Sequence, residues 1–331
     1  MSRARSFNHA DDAALIGPRT AVGHYARLMT PEALSAARLA FAREAQERFA
    51  RISAATQRSR TVRSGGMRGL VASAGGNLRW QRVARPGLPG PTGALVRPIA
   101  VATCDADRPM MLGRTIFPLP LHLGHEAVAE VIDIGDQVST VRVGDRVVVP
   151  FQISCGDCLP CRRGHTASCW SVPPASMYGF GIAGGLWGGA LADVMAVPFA
   201  DAMLVPLPTG IDPAAAAGVA DNISDAYRQV APHLPSLLAD DPHAHVLIVG
   251  RLDRDDPFTP SCLLFTALIA RALGASNISI VDARASLQHT ARALGFNVPD
   301  PRSPFLAGSP ADGRCHRKPR RATESVATHR T

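Results

Sequence analysis

A chain of 331 residues, 46% of them hydrophobic, has the make-up of an ordinary globular protein of about two domains. No apolar run approaches the ~18 residues that a membrane-spanning helix needs, and no apolar stretch follows the basic start as it does in a secretory leader. A cytoplasmic protein with no membrane partner is therefore expected. The formal charge of +8 sits at the ends: residues 1–66 carry +6 and residues 301–331 carry +5, so the middle is slightly acidic and offers no basic face for specific nucleic-acid binding.

In chain order, residues 1–66 form an Arg-rich extension with one helix signal. Thr30 can cap, Pro31 suits the first turn and Glu32 lies early. Leu34, Ala37, Leu39, Phe41, Ala45 and Phe49 then roughly follow a helical stripe, either a docking helix or a segment without a role. Residues 67–235 change texture to short β-prone runs broken by Gly and Pro, including EVIDIGDQV and VRVGDRVVVP, and predict a compact, partly open antiparallel barrel. Residues 242–298 read strand (HVLIVG), helix (CLLFTALIARALGA), strand (NISIVD) and helix (ARASLQHTARALG), which is the start of a parallel α/β sheet. Residues 299–331 hold turn formers and charge with little apolar content, so a disordered basic tail is expected.

Cysteine carries the strongest chemical signal. Cys155, Cys158, Cys161 and Cys169 fall within CGDCLPCRRGHTASC. Thiolates two residues apart can converge on one ion, and a fourth from a longer loop completes a tetrahedron with no open position, as in a structural zinc site. An iron–sulfur cluster usually has its last cysteine closer and followed by Pro, a zinc ribbon needs two separated pairs, and free buried thiols rarely crowd so densely.

This spacing resembles the structural zinc lobe of the zinc-containing medium-chain alcohol dehydrogenases. Upstream, LGHEAVAEVIDIGDQV is similar to that family's GHE signature, and Cys104-Asp105-Ala106-Asp107 to its Cys-x-x-Asp element. The resemblance implies a GroES-like antiparallel β-barrel domain followed by a Rossmann-type parallel sheet. It makes Cys104 and His125 ligands of a catalytic zinc, Glu126 a neighbouring or alternate ligand, and Asp107 the group that orients the ligand histidine. GVADNISDAYRQV matches the segment of the last catalytic ligand, with Asp221 in that place; the competing role for Asp221 or Asn222 is to cap the next helix. The implied reaction moves hydride between a small alcohol or aldehyde and NAD. The hydroxyl that many members place two residues after the ligand cysteine is replaced here by Ala106, and Pro109 lies near the place of a later relay histidine, so the proton needs another exit, such as water.

The resemblance is thinner in the cofactor half. After HVLIVG, Gly250 is what remains of a glycine-rich turn, and Asp253, Asp255 and Asp256 stand where phosphates would lie, offset by Arg251 and Arg254. Asp282 ends the second strand where an acidic residue would bond the adenosine ribose and favour NAD, with an ordinary turn-starting Asp as the alternative. Arg284 follows closely enough to stack on adenine or reach a phosphate. The resemblance stops near Phe296, before a second half-sheet, which predicts an exposed sheet edge and impaired dinucleotide binding. A truncated, zinc-binding pseudoenzyme is the alternative to a working dehydrogenase. A homo-oligomer is compatible with either, and Trp187 with its flanking glycines could line the substrate cleft or simply pack in a turn.

Overall fold

The computed structural model describes residue 36 and residues 66–173, 175–181, 187–252 and 260–301. The helix expected over residues 30–49 therefore lies outside the described residues, save for residue 36, which is helical and exposed. The acidic stretch containing Asp253, Arg254, Asp255 and Asp256, and the basic tail from residue 302 on, also lie outside them.

The first half is β-rich. Strands β1 (Gly66–Ser73) and β2 (Asn77–Ala84) form a hairpin, then β3 (Ala94–Ala102) leads into a short helix α1 (Asp107–Met111), β4 (Leu121–His122), β5 (Glu126–Ile134) and β6 (Arg146–Val149). A helical turn α2 (Leu159–Arg162) precedes β7 (Met195–Val197), α3 (Ala200–Met203) and β8 (Val205–Pro206). Two antiparallel sheets result, a five-stranded one ordered β7-β3-β5-β6-β8 and a three-stranded one ordered β2-β1-β4. β5 lies at the centre of the larger sheet, and its run Ala127–Val128–Ala129 is buried on both faces, as an interior strand requires. Pro98 cannot donate to the ladder, and the pairing of β3 with β5 shifts register between Pro98 and Ala100. Val96, Val131, Val147, Tyr178 and Met195 fill the core, and Cys161 and Cys169 pack at its margin.

Asp201 on α3 ties down the loop after β5. Its carboxylate accepts from the N–H and hydroxyl of both Ser139 and Thr140 at 2.7–3.1 Å. Burial works against its charge, but those four donors outweigh it and hold the carboxyl down at about 2. A depressed carboxyl adds stability above its ordinary value near 3.8 and loses it as pH falls through the folded value. The unfolding-midpoint gap between wild type and Asp201→Asn should be full at neutral pH and close between about pH 4 and about pH 2; urea melts across that range measure it.

The second half is α/β. Helices α4 (Pro213–Ala216), α5 (Asn222–Val230) and α6 (Leu234–Asp240) precede β9 (His245–Val249), α7 (Ser261–Ala272), β10 (Asn277–Val281) and α8 (Ala285–Ala293). β9 and β10 pair in parallel, and Asn297 begins a further parallel contact beside Ser279 of β10. The alternation that buries Ile248 and leaves Leu247 and Val249 about half exposed sets one face of β9 on the helices. Ile248, Ile280, Ala267, Leu287 and Phe296 form this second core, and Val230, Leu234 and Leu238 pack into it. Helices α5 and α6 thus belong physically to the second lobe, although Asp221 and Asn222 at the start of α5 reach into the first. No helix among the described residues is long and apolar enough to cross a membrane.

Candidate metal centres

The four-cysteine loop folds as its spacing predicts. Cys155, Cys158, Cys161 and Cys169 bring their sulfurs within 4.8 Å of one another. None is in a disulfide, and Cys158 Sγ and Cys169 Sγ stand 4.0 Å apart, far beyond the ~2.05 Å of an S–S bond. Pro160 is the second residue of the turn α2, whose tight path returns Cys161 toward Cys158. Backbone N–H groups point at the sulfurs: Cys155 N to Cys169, Cys158 N to Cys155, Trp170 N to Cys158 and Ser171 N to Cys169, each at 3.4 Å. Burial raises the Cys155 thiol, but the Ser171 side chain and the N–H groups of Cys158 and Asp157 bring it down to about 6. The Trp170 N–H likewise lowers Cys158, whereas burial and the neighbouring Cys158 push Cys161 up to about 12. Four thiols facing one another inside one shell of N–H donors suit four thiolates sharing a cation.

A second constellation gathers Cys104, His125, Glu126 and Asp221, one ligand atom of each within 4.8 Å of the others. β3 ends just before Cys104, β5 begins at Glu126, and Asp221 stands at the head of α5, so three separate elements converge. His125 is 2% exposed and lies against the rings of Phe180 and Phe151, with centroids at 5.2 and 6.1 Å. Gly124, at φ +89°, lets this segment press on the backbone N of Leu191, which a Cβ would approach to 2.6 Å. Neither His125 ring nitrogen makes a hydrogen bond, an arrangement costly to keep unless something else is bound. Nε2 faces Asp221 Oδ2 at 3.4 Å, and Nδ1 faces Asp107 Oδ1 at 3.6 Å. Asp107 is itself steadied by the Cys104 N–H on Oδ2 at 2.8 Å. The Asp221 side chain makes no capping bond to α5 and is turned to the histidine instead.

The electrostatics also call for a cation. Burial opposes charge on His125, but Asp221, Asp107 and Glu126 outweigh it and hold the imidazole above its usual range. Burial raises Asp107 and Cys104, and it lifts Glu126 to about 7 against the pull of the Asn222 N–H. Burial also opposes charge on Asp221, yet His125 lowers it. A thiol, an imidazole and a carboxylate around one point are a fitting donor set for zinc, which would favour the thiolate of Cys104 and the neutral imidazole of His125 and would reinforce the ionised Asp221.

The cofactor half is arranged differently from the ribose and adenine roles implied for Asp282 and Arg284. Asp282 is fully buried. Its Oδ1 accepts from Arg284 N and Nε at 2.8 Å each, and its Oδ2 from Arg251 N at 2.8 Å and Arg284 Nη2 at 2.5 Å. Gly250 permits this, since a Cβ there would meet Asp282 Oδ2 at 2.0 Å. The head of α7, the helix that follows β9, is taken by Asp105 of the first lobe, whose Oδ1 accepts from Ser261 N at 3.0 Å and Ser261 Oγ at 2.8 Å. A ribose at Asp282 would therefore have to share or displace the Arg284 guanidinium. Arg284→Ala, which strands a buried carboxylate, should cost the second lobe about 3 kcal/mol, measurable by urea unfolding.

Three residues at these sites had no clear mark in the sequence. Asn222, considered there only as a cap, bonds Glu126; Cys262 faces Asn222; and Asp105 holds Ser261. These partners lie 40 to 156 positions apart, beyond any local pattern.

Residues 90–209 match the alcohol dehydrogenase GroES-like domain family. A glutathione-independent formaldehyde dehydrogenase of Pseudomonas aeruginosa is 38% identical over 152 residues, 43% of this chain and 38% of that protein. A probable zinc-binding alcohol dehydrogenase of Mycobacterium tuberculosis is 37% identical over 161 residues, 49% of this chain and 40% of that protein. Among solved structures, an alcohol dehydrogenase from Thermus sp. ATN1 superposes with a TM-score of 0.62 at 29% identity, covering 74% of this chain and 65% of that one. The chain spans about two fifths of the length of these curated relatives.

Proposed function

We propose that the chain is a zinc-dependent oxidoreductase of the medium-chain alcohol dehydrogenase kind acting on a small alcohol or aldehyde, a reading supported by the match of residues 90–209 to the alcohol dehydrogenase GroES-like domain. The observation that carries this reading is the convergence of Cys104, His125 and Asp221 beside Glu126, with both histidine nitrogens left without hydrogen bonds. Cys104, His125 and Asp221 would hold the catalytic ion, and the four cysteines the structural one. Zinc bound there would supply Lewis acidity to the substrate oxygen. Asp107, facing Nδ1, would keep the His125 ring turned with Nε2 toward Asp221, where the ion would be held. Phe151 and Phe180 shield the ring from water on its flanks. Ala106 offers no hydroxyl to take the substrate proton, which would need another exit, such as water.

NAD is the hydride acceptor that the family implies, and it is the weaker part of the reading because Asp282 is committed to Arg284. That commitment favours a second reading, a zinc-binding relative without turnover. Metal analysis tests the first part: about two zinc equivalents per chain are expected, and none, or one that His125→Ala does not remove, refutes the catalytic centre. Titration with NADH followed by fluorescence separates the two readings. Saturable binding supports the dehydrogenase, and no binding up to millimolar cofactor supports the scaffold.

A further inference from the structure

Asn222 opens α5, is 2% exposed, and bonds in two directions. Toward the first lobe, its Nδ2 donates to Glu126 Oε1 at 2.7 Å and its backbone N–H donates to Glu126 Oε2 at 3.2 Å. On the other side, its Oδ1 accepts from Cys262 Sγ at 3.0 Å, with Cys104 Sγ at 3.7 Å. A carboxylate can only accept and a thiol can donate, so these neighbours fix which end of the amide faces which. Cys262 comes from the first turn of α7, so the second lobe sets the orientation of an amide that grips a residue of the metal pocket.

Glu126 has an oxygen within 4.8 Å of the Cys104, His125 and Asp221 ligand atoms. A divalent cation there would attract it, and a fourth protein ligand would close the site to substrate. Both Glu126 oxygens are already engaged, one by the side chain and one by the backbone of the same residue. We propose that Asn222 is a positioning residue that restrains Glu126 from the metal and so keeps one coordination position open. The proposal rests on the catalytic centre described under the proposed function. Coordination by Glu126 would require it to abandon the Asn222 amide, stranding a buried NH2 group. Without that amide, Oε1 is free to turn to the cation.

The test replaces zinc with cobalt(II), whose d–d absorption reports coordination, and uses imidazole as a neutral probe of the open position. The spectrum of the His125→Ala variant is subtracted to remove the four-sulfur site. Wild type should show a saturable spectral shift with imidazole. Asn222→Ala, and Asn222→Leu, which refills the volume without a donor, should bind imidazole at least about tenfold more weakly, the scale on which partners of metal ligands act. Adding Glu126→Gln to either variant should restore the shift, which a merely structural role of Asn222 would not predict. Wild-type imidazole affinity in both single variants overturns the proposal, as does failure of Glu126→Gln to restore it. A wild-type protein that binds no cobalt beyond the four-sulfur site instead removes the catalytic centre itself, and this proposal with it.

Discussion

Cys158→Ser is expected to release one metal equivalent and leave the first lobe largely unfolded at ambient temperature. A structural zinc site contributes an apparent ~10–16 kcal/mol to folding, against a whole-domain stability of ~5–15 kcal/mol, so a lobe that relies on the ion cannot absorb much of that loss. Cys158 sits where the sulfur cluster meets the protein, with its sulfur receiving the Trp170 N–H and its own N–H given to Cys155. Serine keeps a hydroxyl near that place, but it is a poor zinc donor and too short to accept the Trp170 N–H at the same distance. Cys161 and Cys169 also pack into the main core, so their release disturbs Val172 and Met203 as well. Metal content by mass spectrometry and the thermal midpoint check the expectation; wild-type values for both would mean the four sulfurs do not share an ion.

His125→Ala should have the opposite profile: one metal equivalent lost, activity reduced at least ~10³-fold, and the fold retained. A ligated Lewis acid supplies several kcal/mol of charge stabilisation, and each ~1.4 kcal/mol is a factor of ten in rate. The imidazole makes no hydrogen bond that folding depends on, and its place between Phe151 and Phe180 can partly collapse. The removal also leaves Asp107 and Asp221 without their cationic partner, so the variant should be modestly less stable. Far-ultraviolet circular dichroism beside metal analysis decides the matter: global unfolding would make His125 a structural residue.

Much of the first lobe could be read before any coordinates, because its chemistry is local in sequence. Four cysteines within one loop lie close enough in sequence to meet, whereas Cys104 and His125 are marked by their resemblance to short family motifs and not by any periodicity. Asp221 was ambiguous because a helix-capping aspartate and a ligand aspartate look alike until the side chain's direction is known. The structure turns it to His125. The second lobe was legible as strand, helix, strand and helix, but not the fate of its polar ends. That Asp282 closes on Arg284 depends on the room that Gly250 leaves, and that Asp105 reaches Ser261 depends on how the lobes are set together. The assignment of Val230 and Leu234 to the second core was missed for a related reason, since an amphipathic helix announces a buried face but not which lobe buries it.

Helix α5 is rooted among the apolar residues of one lobe and ends at the ion-binding pocket of the other. Its nine residues span about 13 Å at the usual rise per residue. A tilt of only about 5° about its buried end would move the Asp221 carboxylate by roughly 1 Å, about half the ~2.0–2.2 Å length of a zinc–oxygen bond. The helix is therefore a lever, and the geometry around the ion is mechanically geared to the angle between the lobes. Substitutions at the far end of that arm, at Val230, or just beyond it at Leu234 should register at the pocket as altered coordination before they register as lost stability.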